Sequence, residues 1–388
     1  MEYKTKIETR CIHGEQHGYQ DGAYAISFPI YQTASFSHLK PGHNETGYDY
    51  TRESNPTRHR LEETVSSLEG AVDTTAFTSG MAAISACFEL FEPGDHILCS
   101  EDLYGGVVRF LQNIGRKNGL DVDFVDTTDL RQLDAAIRPQ TKAIYVETPS
   151  NPMMKVTDLR QCAALAKAND AMLIVDNTFL TPYLQNPLEL GADIVIHSGS
   201  KFLGGHNDTI SGFLCSSTRE LADRIRFISK TTGGTLAPMD AWLVMRGLKT
   251  LPIRIERQQQ TAKELVQWMI RQQQIEKVYY VGLIEHPGYE INQSQARGAG
   301  CMISFSVDSK ETALRILENV HIITFAESLG GTESLITYPL VQTHPDVPEE
   351  TRERLGITDT LLRLSVGLEN AEDLIWDLQQ ALGGTNLK

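Results

Sequence analysis

Positive charge is scarce in this chain. Its 388 residues carry 35 Lys and Arg against 50 Asp and Glu, a net charge of -15, and no basic stripe gathers the cations on one segment. Such a balance repels polyanions, so a nucleic-acid partner is excluded. Long apolar runs are missing too, and the opening MEYKTKIETRCIHGEQHG has no apolar core of a signal peptide. A soluble, cytoplasmic protein without a membrane partner is therefore expected. The six cysteines, at 11, 87, 99, 162, 215 and 301, form no CxxC pair and no dense disulfide spacing; reduced, buried thiols are the plain reading. No HExxH occurs among the eleven histidines, and His197 and His206 have no matching ligand pair, so no metal site is predicted. A GxGxxG turn after an early strand is also absent, which argues against a dinucleotide site.

What the chain does have is a repeated alternation. Short apolar, β-branched runs recur at 74–78, 96–100, 121–125, 142–147, 172–176, 193–197 and 212–215, separated by helix-like stretches such as LRQCAALAKAND at 159–170. Strands apolar on both faces and alternating with helices predict an α/β fold, a mostly parallel sheet covered on two sides. Near residue 230 the pattern changes. A long polar-rich helical stretch is predicted over about 241–274, then a smaller α+β region with strands near 277–281, 301–307 and 321–325. Three parts are expected: an N-terminal arm at 1–55, a large α/β domain at 56–250 and a C-terminal α+β domain at 251–388.

Ligands of open α/β sheets sit beyond the carboxyl ends of the strands, so the residues just after each strand carry the functional expectation. Ser79, Gly80 and Met81 open a predicted helix and can present backbone N–H groups to a phosphate. Tyr104 stands beside Gly105-Gly106, Asn151 lies in the turn TPSNP, and Asp176 closes the run MLIVD just ahead of Thr178. Lys201 follows DIVIH between the hydroxyls of Ser198 and Ser200 and the pair Gly204-Gly205. A phosphate cradle, an aromatic ring, a carboxylate and a lysine at one sheet edge meet the needs of pyridoxal 5'-phosphate. The lysine holds the aldehyde covalently, the carboxylate keeps the pyridine nitrogen protonated, the aromatic stacks on the ring and the small hydroxyls hold the phosphate. A lone lysine in a Gly-rich loop is ordinarily a surface residue; its company is what points to chemistry.

The ordered motifs YDYTRESNPTR, SGMAA, DLYGG, ETPSNP, VDNTF, HSGSKFLGGH, ESLGGTESL and LLRLSVGLE resemble the Cys/Met-metabolism family of pyridoxal-phosphate enzymes from about Thr33 to the C-terminus. The resemblance implies the type I, aspartate-aminotransferase-like fold with a seven-stranded sheet, and homotetramers built as dimers of dimers with shared active sites. It implies further that Tyr50 and Arg52 reach the neighbouring subunit's cofactor phosphate, and that Arg363 clamps the substrate α-carboxylate with Ser328 beside it. Asp49, Arg109 and Glu327 stand where cystathionine-handling members address the distal end of their substrate. Gly106 occupies the place of a cysteine found in methionine γ-lyases, and Val107-Val108 imply a more apolar pocket wall than most relatives have. The activity implied is carbon–sulfur bond cleavage in L-cystathionine, by β- or γ-elimination, with side activity on cysteine or related thio amino acids. The alternative is γ-replacement, as in a cystathionine γ-synthase or O-acyl-homoserine thiol-lyase. A catalytically silent binding protein on the same fold is the third reading, and the joint presence of Lys201, Asp176, Tyr104 and Arg363 counts against it.

Overall fold

The structure, a computed structural model, describes residues 5–14, 24–345 and 347–383; the rest of the expected arm, and a few positions of the expected C-terminal domain, lie outside the described residues. Seven strands form the larger sheet: β1 (Asp73–Phe77), β2 (His96–Ser100), β3 (Asp121–Val125), β4 (Thr141–Glu147), β5 (Met172–Asp176), β6 (Ile194–Ser198) and β7 (Gly212–Ser216). Their spatial order is β1-β7-β6-β5-β4-β2-β3. Pairing is parallel from β3 through β2, β4 and β5 to β6, while β7 runs antiparallel to both β6 and β1. The strand centres, including Ile144, Val146, Leu173, Val175 and Val195, have no exposed surface, because helices cover both faces.

A second, largely antiparallel sheet follows, from β8 (Ile275–Tyr279), β9 (Met302–Val307), β10 (Thr324–Phe325), β11 (Leu335–Thr337) and β12 (Leu361–Ser365), ordered β10-β11-β12-β9-β8. The α/β architecture and the seven-stranded, mostly parallel sheet agree with the sequence reading. Three details differ. The helical stretch predicted over 241–274 is two helices, Pro238–Leu248 and Leu251–Met269. Pro252 sits in the first turn of the second, where its missing N–H costs nothing, whereas in a continuous helix it would break a bond and crowd the preceding turn. The strand expected over 321–325 shrinks to two residues because the Asp377 carboxylate accepts the backbone N–H groups of His321, Ile322 and Ile323, each at 2.8 Å. Val107 and Val108 are buried in the core beneath the larger sheet's helices rather than in a pocket wall.

Residues 24–55 contain no helix and only isolated bridges, such as Ser35 with Tyr50. Regular structure resumes at the helix Pro56–Glu69, whose N-cap Asn55 accepts the Thr57 N–H at 3.0 Å. Among the described residues no helix is long and apolar enough to cross a membrane.

Candidate active site

The carboxyl ends of β4, β5 and β6 open into a cavity of about 510 Å³, roofed by β11, β12 and the segment 326–329. One wall is a helix start. Ser79 caps the helix Gly80–Phe88, its hydroxyl accepting the Ala82 N–H at 3.0 Å and its carbonyl the Ala83 N–H at 3.1 Å. The N–H groups of Gly80 and Met81 are left without a helical acceptor at the cavity edge, a ready site for an anion. Close approach makes the wall possible. A Cβ on Gly212 would collide with the Ser79 carbonyl, and one on Gly80 would stand 3.1 Å from the Ser198 hydroxyl.

Lys201 lies three residues beyond β6, in a turn tied down by the Ser200 hydroxyl, which accepts the Ser211 N–H at 3.0 Å and donates to the Ser211 carbonyl at 3.2 Å. Its Nζ donates to Ser328 Oγ at 2.9 Å. Burial and then the charge of Arg363 bring the Lys201 amine down to about 8, against the opposing pull of Glu327. A sizeable neutral fraction at physiological pH makes this amine a nucleophile and a base. Ser328 itself sits at φ 102°, a conformation that a side-chain-bearing residue holds only when its surroundings impose it.

Arg363, at the centre of β12, is 1% exposed. Nη1 donates to Asn151 Oδ1 at 2.9 Å; Nη2 donates to the Ser328 carbonyl and to Thr337 Oγ1, each at 3.1 Å. Its Nε–H is buried and has no partner among the described residues, a donor waiting for an acceptor from outside. Burial lowers the guanidinium to about 10, with Glu327 the largest opposing charge, so it remains a cation at neutral pH.

Asp176 ends β5. Its Oδ1 accepts the Thr178 N–H at 2.9 Å, and the Thr178 hydroxyl accepts the Ser198 N–H at 2.8 Å, which links β5 to β6 at the cavity floor. Burial raises the Asp176 carboxyl and the Thr178 bonds oppose the rise. Tyr104 N-caps the short helix Gly105–Phe110; its ring covers Gly106, where any Cβ would strike it, and its hydroxyl is pushed upward by burial and by Glu327.

Of the residues singled out from sequence, Ser79, Gly80, Met81, Tyr104, Asn151, Asp176, Thr178, Ser198, Ser200, Lys201, Glu327, Ser328 and Arg363 line the cavity together. Four do not. Asp49 is exposed and bonds His38 at 2.9 Å; Arg52 donates to the Lys230 carbonyl, with its guanidinium 5.5 Å from the centre of the Tyr50 ring. Arg109 is exposed on its helix, though its charge is felt by the Tyr104 hydroxyl. Sequence reading passed over Glu147, the last residue of β4, which is buried in the cavity wall beside Asp176, its register partner on β5. The signal was available: a carboxylate closes an apolar strand there as Asp176 does on β5.

The set fits pyridoxal phosphate on observations internal to the chain. Two unused helix N–H groups and the Ser198 hydroxyl suit a phosphate, a low-basicity amine suits an aldehyde, and a hydrogen-bonded carboxylate suits a protonated pyridine nitrogen. The model of the Cys/Met metabolism PLP-dependent enzymes matches residues 8–383. Among curated relatives, a cystathionine beta-lyase of Lactococcus lactis subsp. cremoris is 47% identical over 378 residues, covering 97% of this chain and 99% of the relative. A cystathionine gamma-lyase of Bacillus subtilis is 46% identical over 377 residues, with the same coverage. The crystal structure of a cystathionine gamma-lyase from Lactobacillus plantarum complexed with L-serine superposes with a TM-score of 0.94 at 41% identity, covering 98% of this chain and 99% of that one.

Proposed function

The chain belongs to the Cys/Met-metabolism family of pyridoxal-phosphate-dependent enzymes, and from that premise we propose that it is a carbon–sulfur lyase of L-cystathionine with side activity on cysteine and related thio amino acids. The observation that carries the reading is the placement of the Lys201 amine, of low basicity and 2.9 Å from Ser328, in the same cavity as the Arg363 clamp. Gly80, Met81 and Ser198 would hold the cofactor phosphate, Asp176 its ring nitrogen and Lys201 its aldehyde carbon. Bound there, the cofactor supplies an electron sink for bonds broken at the substrate's α-carbon.

The protein's own contribution follows from the geometry. Arg363 takes the α-carboxylate through its unpartnered Nε–H, which also fixes which face of the α-carbon is turned to Lys201. Lys201, released when the substrate's amine takes its place at the aldehyde carbon, would remove the α-proton with an amine of lowered basicity. In β-elimination the electron pair left at the α-carbon forms the Cα=Cβ bond as the C–S bonding electrons leave with sulfur as thiolate; in γ-elimination a Cβ proton is removed as well, and the new double bond is Cβ=Cγ. The Tyr104 ring, which lines the cavity, would cover one face of the bound cofactor. Glu327, at the outer end of the cavity, suits the distal ammonium of cystathionine, a group that a plain thioether lacks.

The exposed positions of Asp49, Tyr50 and Arg52, away from their own chain's cavity, support a second copy completing each site, within a homotetramer that is a dimer of dimers. A cytoplasmic location suits six unpaired, buried cysteines. The test is product identification after incubation with pyridoxal phosphate and cystathionine. Cysteine with 2-oxobutyrate signifies γ-elimination; homocysteine with pyruvate signifies β-elimination. No turnover of cystathionine, with formation of cystathionine from an O-acyl-homoserine and cysteine, would replace the lyase reading by γ-replacement.

A further inference from the structure

Two carboxyl groups stand side by side at the strand ends of the cavity, where one has a place in the cofactor chemistry. Glu147 and Asp176 end adjacent parallel strands, paired in register, so their side chains leave the same side of the sheet. Strands in a sheet stand about 4.8 Å apart, which puts the two acids beside each other. Both line the cavity, and Glu147 is 7% exposed.

Their surroundings are unequal. Asp176 accepts from Thr178, whose own hydroxyl is oriented by the Ser198 N–H, and feels the nearby His197. Among the described residues the Glu147 carboxyl accepts the Tyr104 backbone N–H, at Oε2 and 3.0 Å. Around it stand Asp176 on β5, Asp102 after β2, the Tyr104 side chain, the Tyr145 hydroxyl two residues back on β4, and Arg363 on β12. The one full positive charge in that group, Arg363, spends three N–H bonds on Asn151, Ser328 and Thr337. Two carboxylates on paired strand ends repel each other, so one proton between them is favoured, and Glu147, which has Asp176 and Asp102 as neighbours where Asp176 has His197, is the one that takes it.

We propose that Glu147 is a positioning residue that stays neutral: its carboxyl oxygen seats the Tyr104 backbone at the cavity mouth, and its proton leaves the strand edge with a single negative charge, on Asp176. Burial and the charge of Asp176 push the Glu147 carboxyl well above the carboxylate range, in keeping with that role. At that end of the turn Tyr104 caps its helix without a side-chain bond, and its carbonyl accepts the Val107 N–H at 2.8 Å while its own N–H goes to Glu147. A neutral acceptor is sufficient there, so glutamine should replace glutamate, whereas alanine should not.

This role deepens the cofactor reading and rests on it for why the charge belongs on Asp176; the measurements that test it do not need turnover. Infrared difference spectra of the unloaded protein at neutral pH, wild type minus Glu147→Gln, should contain a protonated-carboxyl band. Amide exchange at Tyr104, in the unloaded protein and the holoenzyme, should be within about threefold of wild type in Glu147→Gln and at least roughly tenfold faster in Glu147→Ala. Absence of the band, or a Glu147→Gln protein that exchanges as fast as Glu147→Ala, would overturn the neutral acid. Unchanged exchange in Glu147→Ala would overturn the seat. Failure of the wild-type protein to bind pyridoxal phosphate would break the cofactor reading, and with it the reason for a lone charge on Asp176, while leaving the band and the exchange pattern to be seen.

Discussion

Replacing Arg363 by alanine tests the clamp most directly. The guanidinium is buried, charged at neutral pH and fixed by three acceptors, so no rearrangement is needed when a carboxylate arrives at Nε. Truncating one partner of a buried, hydrogen-bonded charge pair costs about 2–5 kcal/mol. At about 1.4 kcal/mol per decade, kcat/KM for cystathionine should fall by about 30- to 4,000-fold. Arg363→Lys keeps the charge but not the planar fork, and should lose about 1.5–3 kcal/mol, one charge-assisted bond. The assay is steady-state kinetics with saturating pyridoxal phosphate, accompanied by the cofactor's dissociation constant and a urea unfolding curve. Truncation also leaves Asn151 Oδ1 and Thr337 Oγ1 without their donor, so some loss of stability is expected and must be measured apart. The distinguishing control is a substrate whose α-carboxylate is replaced by an amide, which should be poor with wild type and no poorer with Arg363→Ala. An Arg363→Ala enzyme within about threefold of wild-type kcat/KM would refute the reasoning, because that is about 0.7 kcal/mol, below any value for a desolvated pair.

Other expectations follow from the same geometry. Lys201→Ala should abolish turnover and the borohydride-fixed cofactor adduct; wild-type rates in that variant would remove Lys201 from the chemistry. With the amine at about 8, the rate of cofactor attachment to the unloaded protein should fall about tenfold per unit as pH drops below about 8 and level off above it, since only the neutral amine attacks. A rate still climbing tenfold per unit through about pH 9–10 would restore ordinary lysine basicity. Gly212→Ala places a methyl group against the Ser79 carbonyl and should cost about 1–3 kcal/mol, read as a lower urea midpoint together with weaker cofactor binding; no change in either would show that the strand can retreat. All six cysteines are buried and free, and burial raises their thiols. A thiol reagent should leave the native protein essentially unlabelled until it unfolds, and rapid native labelling would contradict that packing.

How much of this could be read from the chain depends on what each residue's neighbours are. The strands of the larger sheet were visible within a residue or so, because burial on both faces forces unbroken apolar runs that little else produces. β11 and β12 were not, even though β12 carries Arg363: LLRLS places a charge in the middle of a strand, and an arginine reads as exposed until the Asn151, Ser328 and Thr337 acceptors are seen around it. The break between Leu248 and Leu251 was concealed because apolar spacing continues across it, Pro252 being the one local mark. The cavity residues after β1, β4, β5 and β6 were legible from a rule about strand ends. The arm residues Asp49, Tyr50 and Arg52 belong to a different category, since nothing in a single chain brings them to its own cavity. Val107 and Val108 mislead for the opposite reason: adjacency to Tyr104 in sequence suggests the pocket, but the helical turn directs both into the core.

The cavity is a seam. Its lysine follows a strand of one sheet and its arginine lies in the other, and Ser328 bonds both, through its hydroxyl and its carbonyl. A substrate that satisfies Arg363 and is attacked at the Lys201 position therefore stitches the two sheets together. Part of its binding free energy becomes cohesion of the fold, and the gap between the sheets sets the length of molecule that can span it. Substitutions in the helices Pro238–Leu248 and Leu251–Met269, which brace the turn that carries Lys201 through Arg254 and the Phe202 carbonyl, would retune which thio amino acid is preferred by shifting that turn against the second sheet.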